Sequence, residues 1–414
     1  MFYRRNWKTS GSAQRLRICG NWLKIENILY AKLAPYTIDN SMRLIYISNA
    51  RIPTEKAHGI QLMKMCEAFA QATEVELVIP RRINKIKDDP FDYYGLKRNF
   101  IIKKLPCLDL IPFHEYIGHL GLWIESLTFF TALFFYIIFR KADIIYARDR
   151  FILPLSLLKK NFILEAHSFP KKYFLYSLFL KRLKGIAVLT QKLKESFLAK
   201  GIMPNKILIA PDGIDLEMFD IQCSMSEARQ KLGLPQDKKI VLYSGHLYEW
   251  KGAQTLAGAS QYLPGGTEVY FVGGTTEDVR KFEIRNSKFE TVHVVGYRQY
   301  GEIPYWLKAA DVLVLPNSGQ EDISKYWTSP LKMFEYMAAQ RPIVAVALPS
   351  IREILNSKNS ILVESDNPKE LAMGINEALE NRQLSDKISI KAFQDVQQYT
   401  WQARVKKILA FINK

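Results

Sequence analysis

From Met42 onward, short apolar, β-rich runs alternate with longer stretches of helical periodicity. "RLIYISN", "TEVELVIP", "FIIKKLP", "DIIYARD", "NFILEAH", "GIAVLT" and "KILIAPDG" form a first set of predicted strands. "KKIVLYSG", "TEVYFVGG", "TVHVVGY", "DVLVLPN", "RPIVAVA" and "SILVES" repeat the rhythm. Between the first two runs, "HGIQLMKMCEAFAQAT" sets Ile60, Met63, Met65, Ala68 and Phe69 at near-helical spacing. Strands that are apolar at every position are buried on both faces, which predicts parallel sheets covered by helices. Because the rhythm occurs twice, the expected fold is α/β, with two doubly wound, Rossmann-like domains. In such sheets ligands bind beyond the carboxyl ends of the strands, so two facing sheets leave a cleft lined by strand-end loops.

The turn signal "PDG" and the polar segment after it, in "PDGIDLEMFDIQCSMSEARQKLGL", mark the boundary. We therefore expect a first domain over 42–222, a second over 223–395 and a closing helix within 396–414, around "WQARVKKILAFI". Residues 1–41 carry seven basic and two acidic residues and no continuous apolar core, so no cleavable signal peptide is expected there. They read as an upstream extension of the reading frame or a basic tail outside the fold. "LGLWIESLTFFTALFFYIIF", Leu120 to Phe139, has the length of a membrane span, but Glu125 and Ser126 interrupt it. A predicted buried strand follows at once, so a buried or interfacial helix is expected instead.

The 414 residues suit two domains, and 48% hydrophobic with 24% charged residues is ordinary for a globular protein. The formal net charge of +17 is not ordinary and points to anionic partners. No motif or aromatic platform supports nucleic acid. An anionic membrane surface or a phosphorylated small molecule fits better, which implies a cytoplasmic protein, peripheral on the inner membrane face. The four scattered cysteines lack Cys-x-x-Cys spacing, which argues for a reducing compartment and against a structural zinc.

Candidate chemistry sits on the strand-to-helix loops. In "YWTSPLKMFEYMAAQ", Ser329 reads as an N-cap and Pro330 as the first helical residue, with Lys332 in the first turn. A cation there opposes the helix dipole unless an anion docks on the free N–H groups and the lysine together. Glu335 shares the face of Lys332 and suits a ribose diol; an ordinary capped helix with an internal Lys–Glu pair is the competing reading. In "YSGHLYEWKG", Lys251 could compensate diphosphate charge and His246 donate to the same phosphate, though a lone loop lysine is commonly just solvated. Gly59, beside His58, would let a ligand approach the backbone closely. Glu165 and His167, and also Arg148 and Asp149, close strands that end at the cleft; a structural histidine and a surface ion pair are the bland alternatives.

"SGHLYEWKG", "VHVVGY", "ADVLVLPN" and "SPLKMFEYMAAQRPIVA", in this order, resemble the family-four retaining glycosyltransferases of GT-B fold. "PTEKAHGIQLMKMCEAFA", "IIYARD" and "PDGIDLEMF" extend the likeness into the first half. The resemblance implies a nucleoside-diphosphate-sugar donor held by the second domain, acceptor contacts from the first, and no metal or other cofactor. It makes His167, Lys251 and Glu335 the expected catalytic group. Lys251 would hold the diphosphate and Glu335 the ribose. Gly59, Gly245, His246, Thr328, Ser329, Leu331 and Lys332 would surround the donor phosphates, with Gly296 and Tyr297 near the base. His58, Arg148 and Glu165 would lie on the acceptor side. It also implies that the last helix crosses back to the first domain.

Three positions depart from the family pattern: His246 where an arginine is usual, Trp327 where the first of two paired glutamates is usual, and Gln340 where many relatives have glycine. The expected function is retaining transfer of a sugar, of hexosyl type, to a glycan or lipid-linked acceptor in cell-surface polysaccharide or glycolipid synthesis. A nucleotide-sugar epimerase, or a catalytically weakened sugar-nucleotide-binding protein, is the alternative.

Overall fold

A computed structural model describes residues 42–413; the basic stretch 1–41, with Cys19, and Lys414 lie outside the described residues. All thirteen predicted runs are strands. Seven, β1 (Arg43–Ile47), β2 (Glu74–Pro80), β3 (Ile101–Leu105), β4 (Ile144–Ala147), β5 (Phe162–Ala166), β6 (Gly185–Val188) and β7 (Ile207–Ile209), make one parallel sheet in the order β3-β2-β1-β4-β5-β6-β7. Six, β8 (Lys239–Ser244), β9 (Thr267–Val272), β10 (Val292–Gly296), β11 (Val312–Leu315), β12 (Ile343–Val346) and β13 (Ile361–Val363), make a second in the order β10-β9-β8-β11-β12-β13. The central strands β4, β5, β6, β11 and β12 are buried at every position, as their unbroken apolar runs require. Edge strand β3 exposes Lys103 and Lys104, charges that discourage pairing with another chain.

Four helices position the clefts and the surfaces around them. Helix α1 (Ala57–Phe69) packs beside the first sheet, and its Lys64 reaches Asp215, 2.7 Å away, on the segment leading to the second domain. Helix α2 (Leu120–Phe139) buries only Gly121, Glu125, Phe129, Leu133 and Ile137, one residue per turn. The sequence left a buried or an interfacial helix open; one narrow stripe is buried, pinned by Arg82, 2.7 Å from Glu125, while Trp123, Leu127, Phe135 and Phe139 are exposed. Helix α3 (Leu331–Ala338) follows the π-helical segment Ile323–Trp327 in the second domain. Helix α4 (Trp401–Ile412) lies on the first domain, where Trp401, Val405, Ile408, Leu409 and Ile412 join the core built around Tyr46 and Phe69.

Two of the family departures have local explanations. Gln340 holds φ +55°, the left-handed conformation that follows a helix end, where a glycine would fit without strain. Trp327 packs against the core of the first domain, so this position makes contact between domains.

Candidate active site

A cavity opens between the two sheets at the carboxyl ends of β8 and β9. Thr54, Glu55, Tyr93 and Tyr94 line it from the first domain, and Gly245, His246, Lys251, Tyr297, Lys332 and Glu335 from the second. Its floor depends on glycine: a Cβ on Gly273, at φ +123°, would sit 2.5 Å from the carbonyl oxygen of Gly245. The loop after β8 turns at Gly252, φ +70°, where a Cβ would collide with the Pro316 carbonyl oxygen, so no larger residue fits. The mouth is bridged by Tyr93 and Tyr297, whose hydroxyl oxygens are 2.6 Å apart across the domains.

Among the described residues, the two lysines of this cavity make no ion pair. Lys332 is buried, and its Nζ makes no hydrogen bond; it lies 3.6 Å from the centre of the Tyr243 ring. Burial and neighbouring Lys251 push its pKa well below the lysine range. Burial brings Lys251 down to about 8, and its Nζ rests 3.9 Å over the Trp250 ring. Glu335 does not form the internal pair with Lys332 that the sequence allowed. Its Oε1 accepts a hydrogen bond from Tyr300, 3.0 Å away, and burial raises its pKa to about 7. His246 stacks on Tyr248 with 4.9 Å between ring centres, its Nδ1 3.9 Å from Asp278, and burial lowers its pKa.

Several expected placements differ. Pro330, not Ser329, is the N-cap of α3, and the Ser329 hydroxyl accepts instead from the backbone N–H of Asp212 at 3.0 Å. Pro330 has extended ψ, which starts the helix one residue later than the Ser-Pro pattern suggests and puts Lys332 second in the first turn. Thr328 and Gly296 are not among the lining residues, although Leu331 and Tyr297 are. Gly59 does not open the backbone to a ligand: a Cβ there would collide with the Tyr94 hydroxyl, so the glycine serves close packing.

The remaining expected residues gather at a second centre, below β5 and under α4. Glu165 is fully buried, which removes it from the acceptor surface expected for it. It accepts from Tyr146 at 2.6 Å, from Arg404 of α4 at 3.2 Å and from Gln61, and pairs with His167 at 2.7 Å. Burial alone would raise its pKa, but Arg404, His167 and Arg148 hold it well below the usual range. Burial, helped by Arg148, lowers His167 to about 4, so its imidazole is neutral at pH 7. His167 and Arg148 line a second, first-domain cavity with Arg150, Ser168 and Tyr176. Burial lowers His58 to about 3, with the charges of Arg148 and Lys56 adding to the shift, and it is not among the residues that line either cavity.

Sequence reasoning missed Arg404, Tyr300 and the Gly273–Gly274 pair. The pair was visible at the end of "TEVYFVGG", a double glycine where a strand meets a loop. A lone arginine in a terminal helix, and a tyrosine after "VVGYRQ", carried no such signal.

Residues 224–395 match the family described as glycosyl transferases group 1. Among curated proteins, D-inositol 3-phosphate glycosyltransferase 1 of Catenulispora acidiphila is 25% identical over 225 residues, 51% of this chain and 52% of that protein. The chain spans about half the length of the curated relatives it matches. Among solved structures, Anabaena HepE in complex with UDP and glucose aligns over 90% of this chain and 99% of its own, at 17% identity and a TM-score of 0.70. Sucrose-phosphate synthase from Thermosynechococcus elongatus aligns over 90% and 98%, at 18% identity and a TM-score of 0.72. At such identities the likeness establishes the fold, two Rossmann-like domains in the GT-B arrangement. Residues 224–395 thus match the glycosyl transferases group 1 family, in a chain that has the GT-B fold over the 90% that aligns with these structures.

Proposed function

We propose that this protein transfers a sugar from a nucleoside-diphosphate sugar to the hydroxyl of a glycan or lipid-linked acceptor, with retention at the anomeric carbon. The observation that carries the reading is the pair of lysines, Lys251 and Lys332, that line one cavity and, among the described residues, make no ion pair. A diphosphate completes them, and the same two charges stabilise the negative charge that grows on the leaving group as the glycosidic bond breaks. Glu335, steadied by Tyr300, is the acceptor for the ribose hydroxyls. The HepE structures hold UDP with glucose and UDP-glucose, which makes a uridine donor the first to test. Neither a hexosyl donor nor metal independence follows from these observations, and both enter the same assay.

The exposed apolar face of α2 supports a peripheral location on an anionic membrane. Its aromatic residues suit the headgroup boundary, while Arg140 and Lys141 follow at its end and the formal net charge is +17. Glu125, buried in its ion pair with Arg82, holds the helix flat on the domain.

The test is a panel of UDP- and GDP-sugars, scored for binding, hydrolysis and transfer, with and without EDTA. Transfer or hydrolysis of one donor is expected. Binding without turnover across a fair acceptor panel would favour the weakened enzyme that the neutral His246 suggests, and epimerised donor would name the other alternative. No binding of any nucleotide would end the reading. Flotation with anionic and neutral vesicles tests the location; equal binding to both removes the electrostatic part.

A further inference from the structure

The first-domain cavity is built like an anion site in its own right. Arg148 and Arg150 both line it, each half-buried. Among the described residues neither has a carboxylate within ion-pair distance. Arg148 donates from Nη1 to Gln61, and Arg150 from Nη1 to the Ser168 carbonyl at 3.5 Å. Asp149, between them in sequence, also lines the cavity, but its Oδ2 is held by the Asn49 N–H at 2.6 Å and the Ser48 hydroxyl at 3.2 Å and pairs with neither arginine. Two guanidinium groups thus keep most of their donors free beside the Ser168 and Tyr176 side chains. His167, neutral at pH 7, can bond an anion or a hydroxyl here but adds no charge.

The cavity also meets apolar side chains on two sides, one buried and one exposed. Phe151 lines it and lies 6.3 Å, centre to centre, from Phe129 of α2. Tyr176 lines it within a segment whose Phe174, Leu175 and Leu178 are exposed.

We infer that Arg148 and Arg150 seat a phosphate group carried by the acceptor. Planar guanidiniums grip phosphate oxygens in pairs and with direction, which a pair of lysines would not do. The chemistry is that of a phosphate ester, either the headgroup of a lipid phosphate or a free sugar phosphate. The inference rests on the transfer reading for the word acceptor; the phosphate seat itself can be measured without it.

The test uses the full chain and three probes: inorganic phosphate, a hexose 1-phosphate against the free hexose, and phosphatidylcholine vesicles containing polyprenyl phosphate against vesicles containing polyprenol. Phosphate-bearing probes should bind, with the uncharged partner of each pair at least about tenfold weaker, the scale of a lost charge-assisted contact. Arg150→Gln should cost a similar factor for phosphate probes, and Arg150→Lys, which keeps charge but not the fork, should fall between. UDP affinity is read in parallel and should respond to Lys332→Met. The preferred probe, soluble or vesicle-borne, names the source. Equal affinity for charged and uncharged probes overturns the inference. So does phosphate binding that survives Arg150→Gln and disappears in Lys332→Met, which would place the anion in the nucleotide cavity. Phosphate esters that bind through Arg150 in a protein that ignores every nucleotide would leave the phosphate seat standing and remove the transfer reading. Circular dichroism checks that each variant is folded, and Arg150→Lys carries the test if Arg150→Gln is not.

Discussion

Glu165 and Lys332 are both charged groups shut away from water, and they are completed in opposite ways. Glu165 has Arg404, Tyr146, Gln61 and His167 around it, all from its own chain. Lys332 has an aromatic ring, another lysine and only the unbonded attraction of Glu335. A buried charge with several hydrogen-bonded partners serves the folded state, here by clamping α4 to the first domain. A buried charge without partners works against the folded state until something outside the chain arrives. The contrast separates structural polarity from binding polarity better than charge or burial does, and substitution at either centre probes one side of it.

The largest effect belongs to the clamp. Arg404→Met leaves Glu165 buried without its main cation and removes the donor to the carbonyls of Ala210 and Pro211. The expected loss is about 3 kcal/mol or more, read as a lower urea midpoint, with the terminal helix becoming accessible to protease. An unchanged midpoint would mean that the tyrosines and His167 suffice for Glu165.

At the other centre the same kind of change should reverse sign. Lys332→Met replaces an unpartnered buried ammonium with an apolar side chain of similar length. Without ligand the variant should melt higher, by roughly 1 kcal/mol of added stability, because the Tyr243 ring offsets only part of the cost of burying the charge. Its affinity for UDP should fall by about tenfold or more. Thermal shift with and without UDP measures both at once. A variant that melts lower and still binds UDP would make Lys332 a structural residue like Arg404.

The two centres also differed in how far the sequence disclosed them. The fold was readable almost entirely, since short apolar runs alternated with helical patterns throughout, and the central ones are strands buried at every position. Lys332 and Lys251 could be found because one stands in the first turn of a helix and the other on the loop after a strand, where local pattern fixes position relative to a parallel sheet. Glu165 also ends a strand, yet its partners come from 104 and 239 residues away, so nothing near it distinguishes a buried carboxylate from one at the cleft. Gly59 was misread for the same reason, since the group it makes room for, Tyr94, belongs to another element. The Ser329 N-cap failed by one residue because the Ser-Pro pattern does not report ψ, and the hydroxyl found the Asp212 N–H instead.

A pH titration compares the centres without mutation. Lys251 is lowered to about 8 from the 10.5 of a free lysine. Between those values the unfolded chain holds a proton that the folded one has lost. This group therefore makes stability rise with pH across that window and weighs against the fold below it. UDP needs the charged form, so its affinity should drop as pH passes about 8. Glu335, raised to about 7, should weaken ribose binding as pH falls below that value. UDP affinity is then greatest between the two, whereas uridine, without the diphosphate, should follow only the lower limb. Calorimetry with both ligands from pH 6 upward separates them. Glu165, held ionised far below this range, contributes no change, and a uridine curve that falls with the UDP curve above pH 8 would detach Lys251 from the diphosphate.

The smallest change tests whether the lysine centre is one charge short. His246 lines the cavity beside Lys251, and burial keeps its ring uncharged at pH 7. His246→Arg supplies a permanent cation at that place, where the resemblance to family-four enzymes makes an arginine usual. A full gain is not expected, because Asp278, already 3.9 Å from the imidazole, will take part of the new charge as an ion pair. An increase of a few-fold in UDP affinity is the expected result, within the range of partly exposed charge pairs. Asp278→Asn in the same background should raise it further by freeing the guanidinium for the diphosphate. If His246→Arg instead stabilises the free protein and leaves UDP affinity unchanged, the new arginine has been completed by its own chain, and the loop after β8 belongs with Arg404 and not with Lys332.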